Sequence, residues 1–377
     1  MDPALSQIAE RIRAAAADAT TLRIRGAGSK DFYGETPRGE ALSTTGLAGI
    51  TSYEPSELVV SVRAGTPLAE LEAALAEKGQ CLPFEPPRFA VDGEAASSIG
   101  TVGGMIAAGL SGPSRASVGS VRDYLLGASM VNGKGELLRF GGTVMKNVAG
   151  YDVSRVLAGS LGTLGLIAEA SLKVLPLAPA EATLDFGCSQ ADALRLLNEW
   201  GGRPLPLNAS VWRLRDGAGL LSLRLRGAVA AVEAACAQLG GERQDPARSA
   251  AGWLSLRDQS HPWFSQRSAT HALWRLSLPQ TAPALDLPDA PLVEWHGGQR
   301  WYLAAPGQGA ALRAAARAAG GHATLFRRAA DASAGQDIAP MPRFDAMSAP
   351  IERIQRALMR EFDPDAVFDR QRLLPDH

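Results

Sequence analysis

The sequence predicts an α+β protein built from two domains, and three observations carry that prediction. The chain has 377 residues, more than one hydrophobic core usually organises. Short strands and helices in the first third lead into a glycine-dense stretch over residues 97–167. After Val174 the pattern changes to strands of alternating apolar and polar residues interleaved with amphipathic helices, which reads as an antiparallel sheet with helices on one face. The expected boundaries are a first domain over 1–177, made of subdomains 1–82 and 83–177, and a second over 178–340. The remaining residues, 341–377, form a helix and tail that pack back on the first domain.

Composition narrows the function classes. Hydrophobic residues make up 46% and charged residues 20%, as in ordinary globular proteins. The net charge is −1 and the basic residues are scattered, which removes the electrostatic case for nucleic acid. Cys81, Cys188 and Cys236 lie far apart with no metal-ligand spacing, so they read as small buried hydrophobes in a reducing compartment. No segment approaches the roughly 20 apolar residues of a membrane span. The charged N-terminal run reads as an amphipathic helix and not as a secretory signal. A cytoplasmic protein is expected, attached to the inner membrane, if at all, through partners.

The elements follow in order. Leu5, Ile8, Ala9 and Ile12 share one face of a helix over 4–19. Leu22 and Ile24 alternate with Arg23 and Arg25, and this strand runs straight into Gly26-Ala27-Gly28-Ser29. A strand ending in small residues can present successive N–H groups to an anion, or can simply turn. Further strands are expected over 41–51 and 57–64. A helix then starts with Thr66 as N-cap and Pro67 in its first position, and stops at Gly79. In the second half, helices are expected around 190–202, 228–241 and 309–321, with strands between them. The seven tryptophans all fall between Trp200 and Trp301, most of them suited to core or interface positions. In the tail, Ile351, Ile354, Leu358 and Phe362 form one helical stripe.

Sixteen of the 40 glycines lie between Gly93 and Gly165. Glycine loses more backbone freedom on folding than any other residue, so this cluster needs a reason, and close approach of backbone to a phosphate-bearing ligand supplies one. Two common phosphate sites fail on spacing. Gly100-Thr101-Val102-Gly103-Gly104 follows no strong strand and later glycines recur irregularly, against the dinucleotide fingerprint, and no G-x-x-x-x-G-K-[ST] is present.

Five ordered blocks do match a known pattern: Gly100 to Ala107 (GTVGGMIA), Gly119 to Asp123 (GSVRD), Val131 to Gly135 (VNGKG), Gly150 to Arg155 (GYDVSR) and Gly159 to Gly165 (GSLGTLG). With RIRGAGSKDFYG before them, and LWRLSLP, GGHATLFR and FDPDAVF after, they cover most of the chain. The chain thus resembles the FAD-binding proteins of the vanillyl-alcohol oxidase/p-cresol methylhydroxylase (PCMH) type, and within them the FAD-binding subunit of bacterial glycolate oxidase.

The resemblance implies a two-subdomain FAD-binding domain with a cap, and FAD as cofactor. It places Gly26, Ala27, Gly28 and Ser29 in a first pyrophosphate loop and Thr101, Val102, Gly103 and Gly104 in a second. Gly162, Thr163, Leu164, Gly165 and Ile167 would run beside the adenosine and flavin portions. Relatives that tether FAD covalently carry a histidine in the first loop. Here Ser29 and Lys30 occupy that region and no histidine precedes His261, which implies noncovalent binding. The family tail continues through an Asn-Pro-Gly turn. This chain reads Phe368-Asp369-Arg370-Gln371-Arg372 instead, so the resemblance does not extend a flavin contact to it.

The implied activity is oxidation of glycolate to glyoxylate within a complex that includes a larger homologous flavin subunit and an iron–sulfur subunit. No iron–sulfur cysteine set is present, so onward electron transfer needs another chain or a soluble acceptor. Hydroxyacid oxidation needs a base for the hydroxyl proton and a cation for the carboxylate. The histidine-rich cap motif of related dehydrogenases is missing. His322, Arg327 and Arg328 are what remains as catalytic candidates for a self-sufficient 2-hydroxyacid dehydrogenase, and a non-catalytic scaffold is the other alternative. Arg115 and Lys146 are candidate cations near the flavin, Tyr151 a candidate flavin contact, and Asp123 and Asp152 read as turn or capping residues.

Overall fold

The computed structural model describes residues 3–90, 100–142, 152–330 and 341–374. The chain forms two units. One comprises Met1–Leu110, Ser120–Leu177 and Ala346–His377, and the other Ser111–Gly119 and Ala178–Asp345. Sequence patterning gives no hint that Ser111–Gly119, embedded in the glycine-dense stretch, belongs with the second unit.

The first unit opens with α1 (Pro3–Ala17), whose Ile8, Ala9, Ile12 and Ala15 are buried at helical spacing. Next come β1 (Leu22–Arg25) and β2 (Glu40–Ser43), which pair in parallel. The strand expected over 41–51 is in fact two, β2 and β3 (Ile50–Glu54), separated by a turn in which Leu47 N–H donates to Thr44 O. β4 (Val59–Arg63) leads into α2 (Leu68–Glu77). Thr66 is not its N-cap: Pro67 holds that position, and Thr66 Oγ1 instead accepts from Gly49 N–H at 2.9 Å, tying two turns together.

β5 (Gln80–Cys81) and α3 (Val102–Ala108) follow, then α4 (Arg115–Val118) in the Ser111–Gly119 segment. Back in the first unit are α5 (Val121–Tyr124), β6 (Leu125–Val131), β7 (Leu137–Gly141), β8 (Leu166–Lys173) and β9 (Leu175–Pro176). A five-stranded antiparallel sheet runs β3-β4-β8-β6-β7. Val60, Val62, Leu68, Leu71, Leu75, Val102, Met105 and Ile106 share one core between this sheet and the helices. The Ser120–Asp123 capping box starts α5, and Asp152 accepts from Ser154 Oγ and pairs with Arg155, so both acids serve turns and caps.

The second unit is built on an eight-stranded antiparallel sheet. Its elements are β10 (Ala180–Gly187), α6 (Gln190–Gly201), β11 (Leu207–Arg215), β12 (Ala218–Gly227), α7 (Val229–Leu239), β13 (Glu242–Arg243), α8 (Pro246–Arg257) and α9 (Pro262–Ser265). They continue with β14 (Ala272–Ser277), β15 (Leu292–Glu294), β16 (Gln299–Ala304), α10 (Gly309–Ala318) and β17 (His322–Arg327). The strand order is β13-β10-β12-β11-β15-β16-β14-β17. Leu184, Leu221, Leu223, Leu225 and Trp212 meet the apolar sides of α6 and α7 on one face, and Trp274, Leu276, Tyr302 and Leu325 meet α10. The opposite face is polar along β10 and β12 and carries the buried aromatics Trp301 and Phe326 further on, and α8 and α9 lie against part of it: Trp253 Nε1 donates to Thr183 Oγ1 at 2.9 Å, and Phe264 packs edge-on to Trp301. All seven tryptophans are buried, so Trp253, Trp263 and Trp295 present no exposed aromatic cluster. The three cysteines are free and half-buried, not fully buried as expected, with Cys188 and Cys236 at the margin of the α6–α7 core.

The chain returns to the first unit with α11 (Ala349–Phe362). Its stripe is split: Leu358 and Phe362 pack on the core, while Ile351 and Ile354 are exposed. Asp363, fully buried, accepts from the N–H groups of Val367 and Phe368 at 2.9 and 3.0 Å and so fixes the turn that follows. The tail then runs alongside β1 as a third strand position. Leu22 N–H donates to Val367 O, and Asp369 N–H to Leu22 O.

Candidate functional site

The first unit contains a cleft where three glycine-bearing segments converge with the tail. Its first wall is the loop that leaves β1. Among the described residues, no group accepts a hydrogen bond from the backbone N–H of Gly26, Ala27, Gly28 or Ser29. Four successive unpartnered donors at the mouth of a cleft form an anion-binding concavity, and Arg25 and Lys30 line the same cleft. A Cβ on Gly26 would collide with Thr101 Oγ1, and Gly28 has φ +81°, which L side chains rarely adopt, so glycine is required at both positions.

The second wall is the N-terminus of α3. Thr101 is its N-cap, its Oγ1 accepting from Gly104 N–H at 3.2 Å. A Cβ on Gly103 would stand 2.7 Å from Ala64 Cβ, so glycine here lets the helix close on the end of β4. Ser29 Oγ and Lys30 Nζ both lie within 4 Å of where a Cβ of Gly100 would be, which puts the first two loops side by side. The third wall is the 159–165 loop, fastened to the end of α3 by Gly159 N–H to Ile106 O and Leu161 N–H to Ala107 O. Leu161, unusually for leucine, has φ +52°, and Gly162 follows at +79°.

Ten of the expected cofactor residues line this cleft: Gly26, Ala27, Gly28, Ser29, Thr101, Gly103, Gly104, Gly162, Gly165 and Ile167. Val102, Thr163 and Leu164 do not. Val102 and Leu164 are fully buried in the core, and Thr163 turns inward to donate from Oγ1 to Ser160 O at 2.8 Å. These three build the loops; their neighbours face the cleft. Lys146 and Tyr151 lie outside the described residues. Arg115 lies in the second unit, its guanidinium 4.5 Å from the Trp295 ring centroid.

Sequence reading missed the tail. Asp369 and Arg372 also line the cleft. Arg372, 9% exposed, donates from its guanidinium to the main-chain oxygens of Asp31, Tyr33 and Glu35, and Asp369 accepts from Arg38 N–H at 2.7 Å. Burial lowers the Arg372 pKa and raises that of Asp369. The tail therefore braces the first loop from behind, although the Asn-Pro-Gly turn is gone. The signal available was FDPDAVF itself, whose first aspartate holds the turn.

The candidate catalytic residues do not converge. His322 and Arg327 sit at opposite ends of β17, about 16 Å apart at strand rise, so no single small substrate touches both. Arg327 Nε donates to Gln259 Oε1 at 3.2 Å, and burial with nearby Arg267 and Arg343 lowers its pKa to about 10. Arg328 reaches Met341 O. Among the described residues no cluster of histidine, cysteine or acidic side chains could hold a metal ion, and no helix is long and apolar enough to cross a membrane.

A cleft with main-chain donors for phosphate and small-residue walls for flat rings fits FAD, and comparison with known proteins agrees. The FAD binding domain family matches residues 5–141, which include the first two walls and imply FAD as the cofactor. The glycolate oxidase subunit GlcE of Escherichia coli (strain K12) is 43% identical over 366 residues, covering 97% of this chain and 95% of that one. The glycolate oxidase subunit GlcD of Bacillus subtilis (strain 168) is 32% identical over 162 residues, 42% of this chain and 33% of that one. A D-lactate dehydrogenase of Anaerostipes hadrus is 33% identical over 37% of this chain and 27% of its own. An alkyldihydroxyacetonephosphate synthase structure shares the fold, with a TM-score of 0.61 at 15% identity over 96% of this chain and 73% of that one. The chain belongs to the family of the glycolate oxidase subunit GlcE, among the FAD-linked oxidoreductases that include the 2-hydroxyacid dehydrogenases.

Proposed function

We propose that this chain is the FAD-binding subunit of a glycolate oxidase complex that converts glycolate to glyoxylate. In this reading residues 1–177 hold the cofactor, 178–340 form a cap and 341–377 brace the cofactor domain. The observation that carries it is the identity with GlcE over nearly the whole length of both chains, together with a cleft in which the expected loops meet.

FAD supplies two-electron redox chemistry when bound; the protein contributes binding and orientation. The N–H groups of Gly26 to Ser29 would hold the pyrophosphate, and the backbone of Gly103, Gly104, Gly162 and Gly165 would allow the rings to approach. Attachment is noncovalent in this reading: Ser29 and Lys30 stand where tethering relatives carry a histidine, and among the described residues lining the cleft there is no histidine, cysteine or tyrosine. Acid precipitation should release all the yellow colour into the supernatant.

The partners are a larger homologous flavin subunit and an iron–sulfur subunit. The separation of His322 from Arg327 argues against a self-sufficient dehydrogenase built on those residues, and favours substrate chemistry that needs the larger subunit. The test is to purify the chain alone and with its partner flavoprotein, then add glycolate without oxygen. Flavin that stays oxidised in the single chain and bleaches in the complex is expected. Bleaching in the single chain would make it an independent dehydrogenase, and absence of flavin would make it a scaffold.

A further inference from the structure

A second cavity lies wholly in the second unit, between the polar face of β10, β12 and β11 and the helices α8 and α9. Its lining includes Asp185, Arg213, Ser222, Ser249, Trp253 and His261. Strand register explains the grouping. Asp185 stands opposite Ser222, Ser222 opposite Val211, and Arg213 two residues further along β11, so Asp185, Ser222 and Arg213 share one side of the sheet.

The polar groups here are poorly matched to one another. Arg213 is half-buried, yet its one hydrogen bond is a long contact of 3.4 Å from Nη1 to Ser222 Oγ, and among the described residues no carboxylate pairs with it. Asp185 Oδ1 and Ser249 Oγ are buried with no hydrogen-bond partner among the described residues. His261 Nδ1 accepts from Trp263 N–H at 3.1 Å, so the neutral ring carries its proton on Nε2. Burial, with the Arg213 charge nearby, pushes the His261 pKa down to about 4 and keeps the ring neutral. The Asp185 charge acts on Arg213 from a distance without pairing with it, and a half-buried cation with no paired carboxylate and a buried carboxylate oxygen without a donor both cost stability unless something else satisfies them.

One small molecule meets both needs if it carries a carboxylate and a hydroxyl close together. We propose that this cavity binds a small hydroxycarboxylate, with Arg213 and the His261 Nε2–H holding the carboxylate and Asp185 accepting from the hydroxyl. The site goes beyond the oxidase reading, which supplies only the first probe, glycolate.

The experiment titrates the full-length, FAD-loaded protein with glycolate, acetate and glycine by calorimetry, alongside the fluorescence of the tryptophans in the cavity wall. Glycolate should bind saturably, and acetate, which lacks the donor, about tenfold more weakly. Arg213→Gln should weaken both acids by about tenfold or more, with Arg213→Lys intermediate, and Asp185→Ala should bring glycolate down to the level of acetate. Unchanged flavin content in each variant shows that the first unit is intact. The comparison of the three probes on the unmodified protein needs no variant to fold. Equal binding of glycolate and acetate, tighter binding of glycine than glycolate, or glycolate binding that survives Arg213→Gln would each overturn the proposal. Because binding is read on oxidised protein, the outcome is independent of whether glycolate ever bleaches the flavin.

Discussion

The cleft of the first unit and the cavity of the second both present polar groups whose hydrogen-bonding capacity the protein leaves unfilled, but they are made differently. In the cleft the donors are main-chain N–H groups of Gly26 to Ser29, where Gly26 has no room for a side chain and Gly28 holds a positive φ. In the cavity the polar groups are the side chains of Arg213, Asp185 and His261, two donors and an acceptor, drawn from two strands and the loop before α9. A backbone site forces small residues into fixed places and leaves a visible mark. A side-chain site is spelled with ordinary arginines and aspartates, and register alone brings them together.

The sharpest way to break this contrast is Gly26→Val. The new side chain would enter the space of Thr101 and block the first loop, and FAD affinity should fall by about tenfold to a hundredfold. The ratio of flavin to protein after gel filtration measures it, and a normal ratio would sink the backbone account. Arg213→Gln should leave that ratio unchanged.

Arg372→Gln should follow in size. Losing charge-assisted bonds to three main-chain oxygens, one buried and two half-buried, should remove about 3 kcal/mol from the first unit, read as flavin release in urea. The tryptophans all lie in the second unit, so their fluorescence transition should not move.

Acid should separate the units further. His261 and His296 are each pushed down to about 4 by burial, His296 held between Ser210 Oγ and Ser117 Oγ at 3.0 Å. Unfolded histidine titrates near ~6.5, so between that pH and about 4 the unfolded state binds more protons. The second unit's stability should therefore be highest above that window and decline as pH falls through it. A thermal midpoint followed by tryptophan fluorescence would show this, and His296→Gln should flatten the slope. The first unit has no histidine among its described residues, and burial raises the pKa of Asp363 and Asp369, whose contribution is retained at low pH and lost as pH rises through their folded values. Flavin release should thus not share the decline in stability as pH falls through the same window. Parallel acid profiles for the two signals would contradict the assignment. The smallest expected effect is Thr101→Ala, about 1 kcal/mol from loss of the α3 cap, measured by urea-induced flavin release.

Much of the cofactor site was legible because its requirements are local. Gly26 ends a strand, Thr101 caps a helix, and Gly162 needs a positive φ, all within a few residues of sequence. Val102, Thr163 and Leu164 misled because motif membership does not say which way a side chain points. The helix start at Thr66 misled because its hydroxyl found a partner 17 residues away.

By itself, then, the sequence determined the α+β class, the glycine-lined loops and the family, since periodicity and backbone sterics are written in consecutive residues. Only the tertiary structure decided that Arg372 braces a loop more than 330 residues earlier, and that Ser111–Gly119 joins the second unit. It also decided that Asp185 and Arg213 share a cavity. The physical reason is that strand pairing and burial act between residues distant in sequence, and a side chain's partner is fixed by which strand lies beside it.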